Sequence, residues 1–165
     1  MRRVVSNTGP LLHMSEAQVL TLLMQTGEVY IPRAVDLEME QNDSLWPNAR
    51  PPRIHVERLG TPYDEEATAW QQAGLLDAGE AEAIALARQV RADWFLTDAA
   101  AARLFAQALG LEVHGSLGIV LWAAAVGHLN RTAAEAALNR LAQSSLWVSA
   151  TVLAEARSAL DQLLS

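Results

Sequence analysis

Apolar residues fall into two kinds of grouping along this chain. Short runs with little polar alternation, at residues 3–6, 29–31 and 94–97, predict strands covered on both faces. Residues 112–114 predict a further strand, and a short one is expected near Trp147. Between these runs the apolar positions recur with helical spacing. Pro10 suits the first turn of a short helix after the Asn7-Thr8-Gly9 turn. Ser15 and Glu16 open a helix over 15–24, with Val19, Leu20, Leu22 and Leu23 on its apolar side and Gly27 beyond its end. Further helices are predicted at 32–40, 64–73, 80–90 (capped by Asp77), 99–109, 117–126, 132–142 and 151–164. Residues 42–62 carry Pro47, Pro51, Pro52 and Pro62 and read as loop, except that 53–57 alternates like an edge strand.

Strands alternating with helices imply right-handed βαβ units, hence a parallel sheet with helices on both faces. There is no internal repeat, no low-complexity tract and no linker, so residues 1–165 read as a single domain. The totals agree. At 17.9 kDa, with 51% apolar and 19% charged residues, the composition is that of a globular chain with a full core. The absence of cysteine excludes a disulfide framework and a thiolate metal site. The opening MRRVVSNTGPLL is too short in its apolar part for a signal peptide, and no segment reaches the roughly 18 apolar residues of a membrane span. The expected location is the cytoplasm. A net charge of −7 argues against a broad nucleic-acid-coating surface but not against an acidic site that holds metal. All 12 basic residues are arginine, which reads as composition bias.

In open parallel sheets ligands bind at the carboxyl ends of the strands. Asn7 and Asp98 fall there by strand position. Each has a structural alternative: Asn7 as an Asx-type turn, Asp98 as the N-cap of the helix that follows. Glu38 sits among Val35, Leu37 and Met39, so it is not expected to be wholly solvated. Glu80 shares a helix side with Ala83, Ile84 and Ala87, or else serves only the helix amino end. Glu82 lies about 200° round the helix from Glu80 and reads as solvent-facing. Asn7, Glu38, Glu80 and Asp98 together would be an oxygen-only set, suited to Mg²⁺ or Mn²⁺. His13, His55, His114 and His128 lack ligand spacing and read as structural or exposed. The five tryptophans do not pair with basic clusters, and Trp94 and Trp147 read as core. The segment SLGIVLWAAAVG is apolar nearly all round, as a dimer-forming helix would be. No phosphate loop, dinucleotide fingerprint or nucleophile motif is present.

Four strings, VVSNTGPLLHMSEAQVLTLL, VYIPRAVDLEME, DAGEAEAIALARQV and RADWFLTDAAAARLFAQALGLEVHGSLGIVL, occur in an order that resembles the PIN-domain family, in particular its VapC-like toxin branch. The resemblance implies an α/β/α sandwich with a mainly parallel sheet. It implies a Mg²⁺- or Mn²⁺-dependent ribonuclease with an RNA substrate, a small antitoxin as partner and a homodimeric state. The family's acids fall on Asn7, Glu38, Glu80 (or Glu82) and Asp98, and a second acid that often follows the last falls on Ala99. Ser6 or Thr8 would supply a nearby hydroxyl, and Arg33 or Arg103 would face phosphate. Asn7, Ala99 and the lack of a cation in the helix after GSLG depart from the pattern. They favour an alternative: a catalytically weakened PIN-like module that binds RNA or protein.

Overall fold

The computed structural model describes residues 1–165. Five strands, β1 (Arg3–Ser6), β2 (Glu28–Pro32), β3 (Ile54–Glu57), β4 (Trp94–Leu96) and β5 (Val113–His114), pair entirely in parallel in the order β3-β2-β1-β4-β5. Ten helices connect and flank them: α1 (Thr8–Glu16), α2 (Thr21–Thr26), α3 (Arg33–Asn42), α4 (Trp46–Ala49), α5 (Tyr63–Gln72), α6 (Ala78–Gln89), α7 (Ala100–Ala108), α8 (Ser116–Ala125), α9 (Arg131–Gln143) and α10 (Ala150–Leu163). The result is the α/β/α sandwich expected of the alternating pattern. None of these helices is long and apolar enough to cross a membrane.

The strand order decides where a site can form. From β1 the chain winds outward through β2 to β3, then returns to the other side of β1 to lay down β4 and β5. With right-handed crossovers that reversal puts the connections on opposite faces. The crevice therefore opens between β1 and β4, at their carboxyl ends. The register Ser6 opposite Leu96 brings the residues just beyond both strands side by side. The Asn7 backbone N–H donates to the Leu96 carbonyl at 2.9 Å, carrying the pairing one residue past β1.

One cluster of 37 buried apolar residues runs through both layers. Helix α6 packs across β1, β2 and β4, and Ala81, Ala83, Ile84, Ala85, Leu86 and Ala87 on it are buried. Its small side chains let the helix axis lie close to the sheet, which is why an alanine-rich run occupies the centre of the fold. On the other side α8 packs against α2, α9 and α10.

Several local features differ from the sequence expectations. No helix runs over 15–24: α1 ends at Glu16, and Gln18 takes a left-handed conformation, φ 61°. The N–H of Val19 bonds the Met14 carbonyl and that of Gln18 the Ser15 carbonyl, the double closure of a Schellman turn. The break lets Leu11 and Met14 on α1, and Leu22 and Leu23 on α2, all reach the core. The proline-rich stretch contains a short helix, α4, held down by buried Trp46, whose indole N–H donates to Asp36 at 2.8 Å. Near Trp147 there is no strand, and the ring is 85% exposed, not core. The all-round apolarity of α8 reflects four neighbouring helices, α1, α2, α9 and α10, although Leu117, Leu121 and Trp122 keep partial exposure.

Candidate functional site at the carboxyl edge of the sheet

Asn7 is 6% exposed and caps α1. Its side-chain oxygen accepts from the Thr8 N–H at 2.9 Å, and its amide nitrogen donates to Thr97 Oγ1 at 3.1 Å, across the β1–β4 junction. An aspartate could keep this second bond only in the reverse direction, by accepting from the Thr97 hydroxyl. Asparagine thus ties together the two strand ends that form the crevice, and one lone pair of its oxygen is left over. Locally Asn7 is the N-cap of α1, its oxygen meeting the next N–H and not the one two residues on that an Asx turn would use. Ser6 is fully buried and its hydroxyl donates to the Asn7 carbonyl, so the hydroxyl facing the site is that of Thr8.

Thr8 Oγ1 donates to Glu38 Oε2. Glu38, half-buried on α3, lays its carboxylate over Gly79 at the start of α6. A Cβ at residue 79 would lie 2.5 Å from Glu38 Oε1, so only glycine allows this approach. Glu80, the next residue, closes a capping box with Asp77: its N–H donates to Asp77 Oδ1 at 2.8 Å, and its Oε1 accepts from the Asp77 N–H at 3.0 Å. Burial pushes the Glu80 carboxyl above its ordinary value, and the negative charges of Asp77 and Glu38 push the same way against the Asp77 N–H bond. Neither Glu38 nor Glu80 has a salt-bridge partner. Glu82 is not solvent-facing. It is half-buried and accepts from the Ala34 N–H at 3.2 Å, serving the amino end of α3.

Asp98 does not cap α7, whose N-cap is Ala99. Its side chain, 9% exposed, reaches instead to the start of α8. Oδ1 accepts from the Ser116 N–H at 2.8 Å, and Oδ2 accepts from Ser116 Oγ at 2.6 Å and from His13 Nδ1 at 2.7 Å. A carboxylate only accepts, so the His13 proton in this pair sits on Nδ1. Burial alone would raise the Asp98 carboxyl, but the bonds from His13 and Ser116 outweigh it and hold the group below its ordinary value. Gly115 leaves room for Asp98 Oδ1 and Arg103 Nη2, each 2.9 Å from where a Cβ would be. The Arg103 guanidinium donates to the Thr97 carbonyl at 3.4 Å and pairs with no carboxylate. Arg33 is exposed and lines a groove of about 610 Å³ between α3, α5 and the end of β3, which takes in Glu82 but none of Asn7, Glu38, Glu80 or Asp98.

The structure therefore places the sequence-derived candidates in two groups, Glu38 and Glu80 with Thr8, and Asp98 with His13 and Ser116, with Asn7 at the junction. No three acids or histidines converge tightly enough to enclose a metal ion. Asp98 has spent three of about four acceptor positions and Asn7 one of two, leaving each able to hold a metal-bound water. Glu38 and Glu80 keep more free oxygen. An all-oxygen set with few direct ligands fits a cation such as Mg²⁺ that retains several waters. Sequence reasoning missed His13 and Ser116. Their spacing from Asp98, 85 and 18 residues, gives no local signal.

Comparison with curated proteins and with solved structures returns no match. The profile of a family described as PIN domain matches residues 3–162, nearly the whole chain. With its parallel sheet and the crevice at β1 and β4, the chain belongs to the PIN-domain family.

Proposed function

We propose that this chain is a metal-dependent ribonuclease. One observation carries the reading. Glu38 and Glu80 stand near each other beside the crevice, burial and then the neighbouring charges of Asp77 and Glu38 raise the Glu80 carboxyl, and neither glutamate has a salt-bridge partner. A bound Mg²⁺ or Mn²⁺ would relieve that repulsion. Glu38 and Glu80 would hold it, with Asp98 and Asn7 holding its waters, and it would supply Lewis-acid polarisation and a water of lowered pKa. The protein's own part is positioning. Thr8 fixes the Glu38 carboxylate over Gly79, Asp77 fixes Glu80, and Asn7 locks the two strand ends. Arg103, the unpaired cation beside Asp98, would take a phosphate oxygen.

Purified protein should cleave structured RNA with Mg²⁺ or Mn²⁺, and Glu38→Gln or Asp98→Asn should reduce cleavage by about 100-fold or more with the fold intact by circular dichroism. Cleavage that survives both changes would end this reading. In the finer form that the resemblance to VapC-type proteins supports, the chain is a cytoplasmic homodimeric toxin held by a small antitoxin. Co-purification of the product of the adjacent reading frame tests it. The extensive internal bonding of Asp98 and Asn7 favours a second reading, a PIN module that binds RNA or protein without strong catalysis. Calorimetric titration separates the two, since the enzyme must bind Mg²⁺ or Mn²⁺ at millimolar concentration.

A further inference from the structure

Of the five tryptophans, four have evident roles in the folded chain. Trp46 is buried and bonded to Asp36. Trp70 packs edge-on to Phe105 at 5.0 Å. Trp94 and Trp122 meet edge-to-face at 5.5 Å, with the Arg2 guanidinium 4.0 Å over Trp94. Trp147 has none: it is 85% exposed. Leaving so large a ring in water forgoes burial that would otherwise stabilise the fold by about 2 kcal/mol.

The loop that carries Trp147 is tied down on both sides. Glu16 on α1 accepts from the Ser145 N–H at 3.2 Å and from its hydroxyl. Ser144 Oγ accepts from the Leu146 N–H at 3.1 Å, and Ser149 caps α10 through the Val152 N–H, also at 3.1 Å. The ring is thus presented on a braced support. It forms one wall of a cavity of about 350 Å³ whose other walls include Asp98, Arg103, Gly115 and Ser116, at the carboxyl ends of β4 and β5. An aromatic face, an unpaired guanidinium and the proposed catalytic edge share one pocket. That combination is complementary to a nucleotide of single-stranded nucleic acid, with the base on the ring and the phosphate on the cation.

We propose that Trp147 and Arg103 form a nucleotide subsite beside the reactive edge, in which Trp147 stacks a base of single-stranded RNA and Arg103 holds its phosphate. The subsite rests on the ribonuclease reading for its biological use, but it is tested without catalysis. A labelled 2′-O-methyl oligoribonucleotide, which is not cleaved, is titrated in EDTA and followed by anisotropy and by indole quenching. Trp147→Ala should lose about 10-fold or more in affinity, the size of one lost base–aromatic stack. Trp147→Phe should bind nearly as well as the native chain while losing the quench. Arg103→Gln should lower the slope of log affinity against log salt by about 0.7, the single-strand value for one phosphate contact. Unchanged affinity in Trp147→Ala overturns the proposal, as does failure of the native chain to bind the oligonucleotide. So does a result in which Trp147→Ala breaks a protein–protein complex while oligonucleotide affinity stays constant. Oligonucleotide binding that depends on Trp147, in a protein that cleaves nothing with Mg²⁺ or Mn²⁺, would keep the subsite and remove the nuclease.

Discussion

Two acidic groups lie on either side of the β1–β4 junction, and they are built in opposite ways. On the β4 side, Asp98 is buried and met by donors from Ser116 and His13, so its carboxylate is stabilised and its proton affinity falls. On the α3–α6 side, Glu38 and Glu80 lie close to each other and to Asp77, with few donors, and Glu80 holds its proton more tightly than usual. The difference teaches that an acid at the edge of a sheet is not one kind of object. Asp98 is already satisfied by its own protein and braces α1, β4 and α8, whereas Glu38 and Glu80 keep free oxygens and have no salt-bridge partner.

That contrast can be broken most decisively at Asp98. Asp98→Ala strands the His13 N–H and both Ser116 donors, and should cost about 3 kcal/mol in urea unfolding at neutral pH. A loss below about 1 kcal/mol would mean that the carboxylate is not the brace described. The sign of the pH dependence follows from the lowered pKa. The contribution of Asp98 is present above its ordinary value of 3.8 and disappears as pH falls through the lower, folded value, so the native chain and Asp98→Ala should converge in acid.

Gly79→Ala tests the other side. The new methyl group would displace the Glu38 carboxylate, since the terminal group of a flexible side chain yields before backbone does. Gain in helix propensity and loss of the Thr8 bond nearly cancel in stability, each being about 1 kcal/mol. Cleavage, however, should fall about 10- to 100-fold in single-turnover assays, the usual cost of disturbing a group that orients a metal ligand. Full activity in this variant would show that the placement of Glu38 over Gly79 is irrelevant to the chemistry.

The smallest effect on stability is expected at Glu80→Gln. Glutamine preserves the capping box and removes the charge that faces Asp77 and Glu38. Because the raised folded pKa favours the protonated form, the contribution of Glu80 is fully present below 4.5 and is lost as pH rises through the folded value. Glu80→Gln should therefore match the native chain in acid and be more stable at neutral pH, by a few tenths of a kcal/mol given solvent screening of a half-exposed group. Thermal unfolding at pH 4 and pH 7 measures it.

Most of the architecture was legible in the order of residues. The runs at β1, β2 and β4 have the unbroken apolar character of strands covered on both faces, and Asp77 and Gly27 marked helix ends. The helix break at Gln18 was not legible, because a glutamine in a left-handed turn carries no local mark and is held there by where Met14 and Leu22 must pack. Trp147 was misjudged for the same reason in reverse: an aromatic beside a valine reads as core until the surrounding loop is seen braced outward.

The candidate site divides along the same line. Sequence alone determined that Asn7 and Asp98 end buried strands, that Asp77 and Glu80 cap a helix, and that Glu38 is flanked by apolar residues, since each of these follows from contacts within a few positions. Only the tertiary structure decided which oxygens are left free. Asn7 meets Thr97 across 90 residues, Asp98 meets His13 across 85, and Thr8 meets Glu38 across 30. Hydrogen-bond saturation is a property of three-dimensional neighbours, and no periodicity along the chain encodes it.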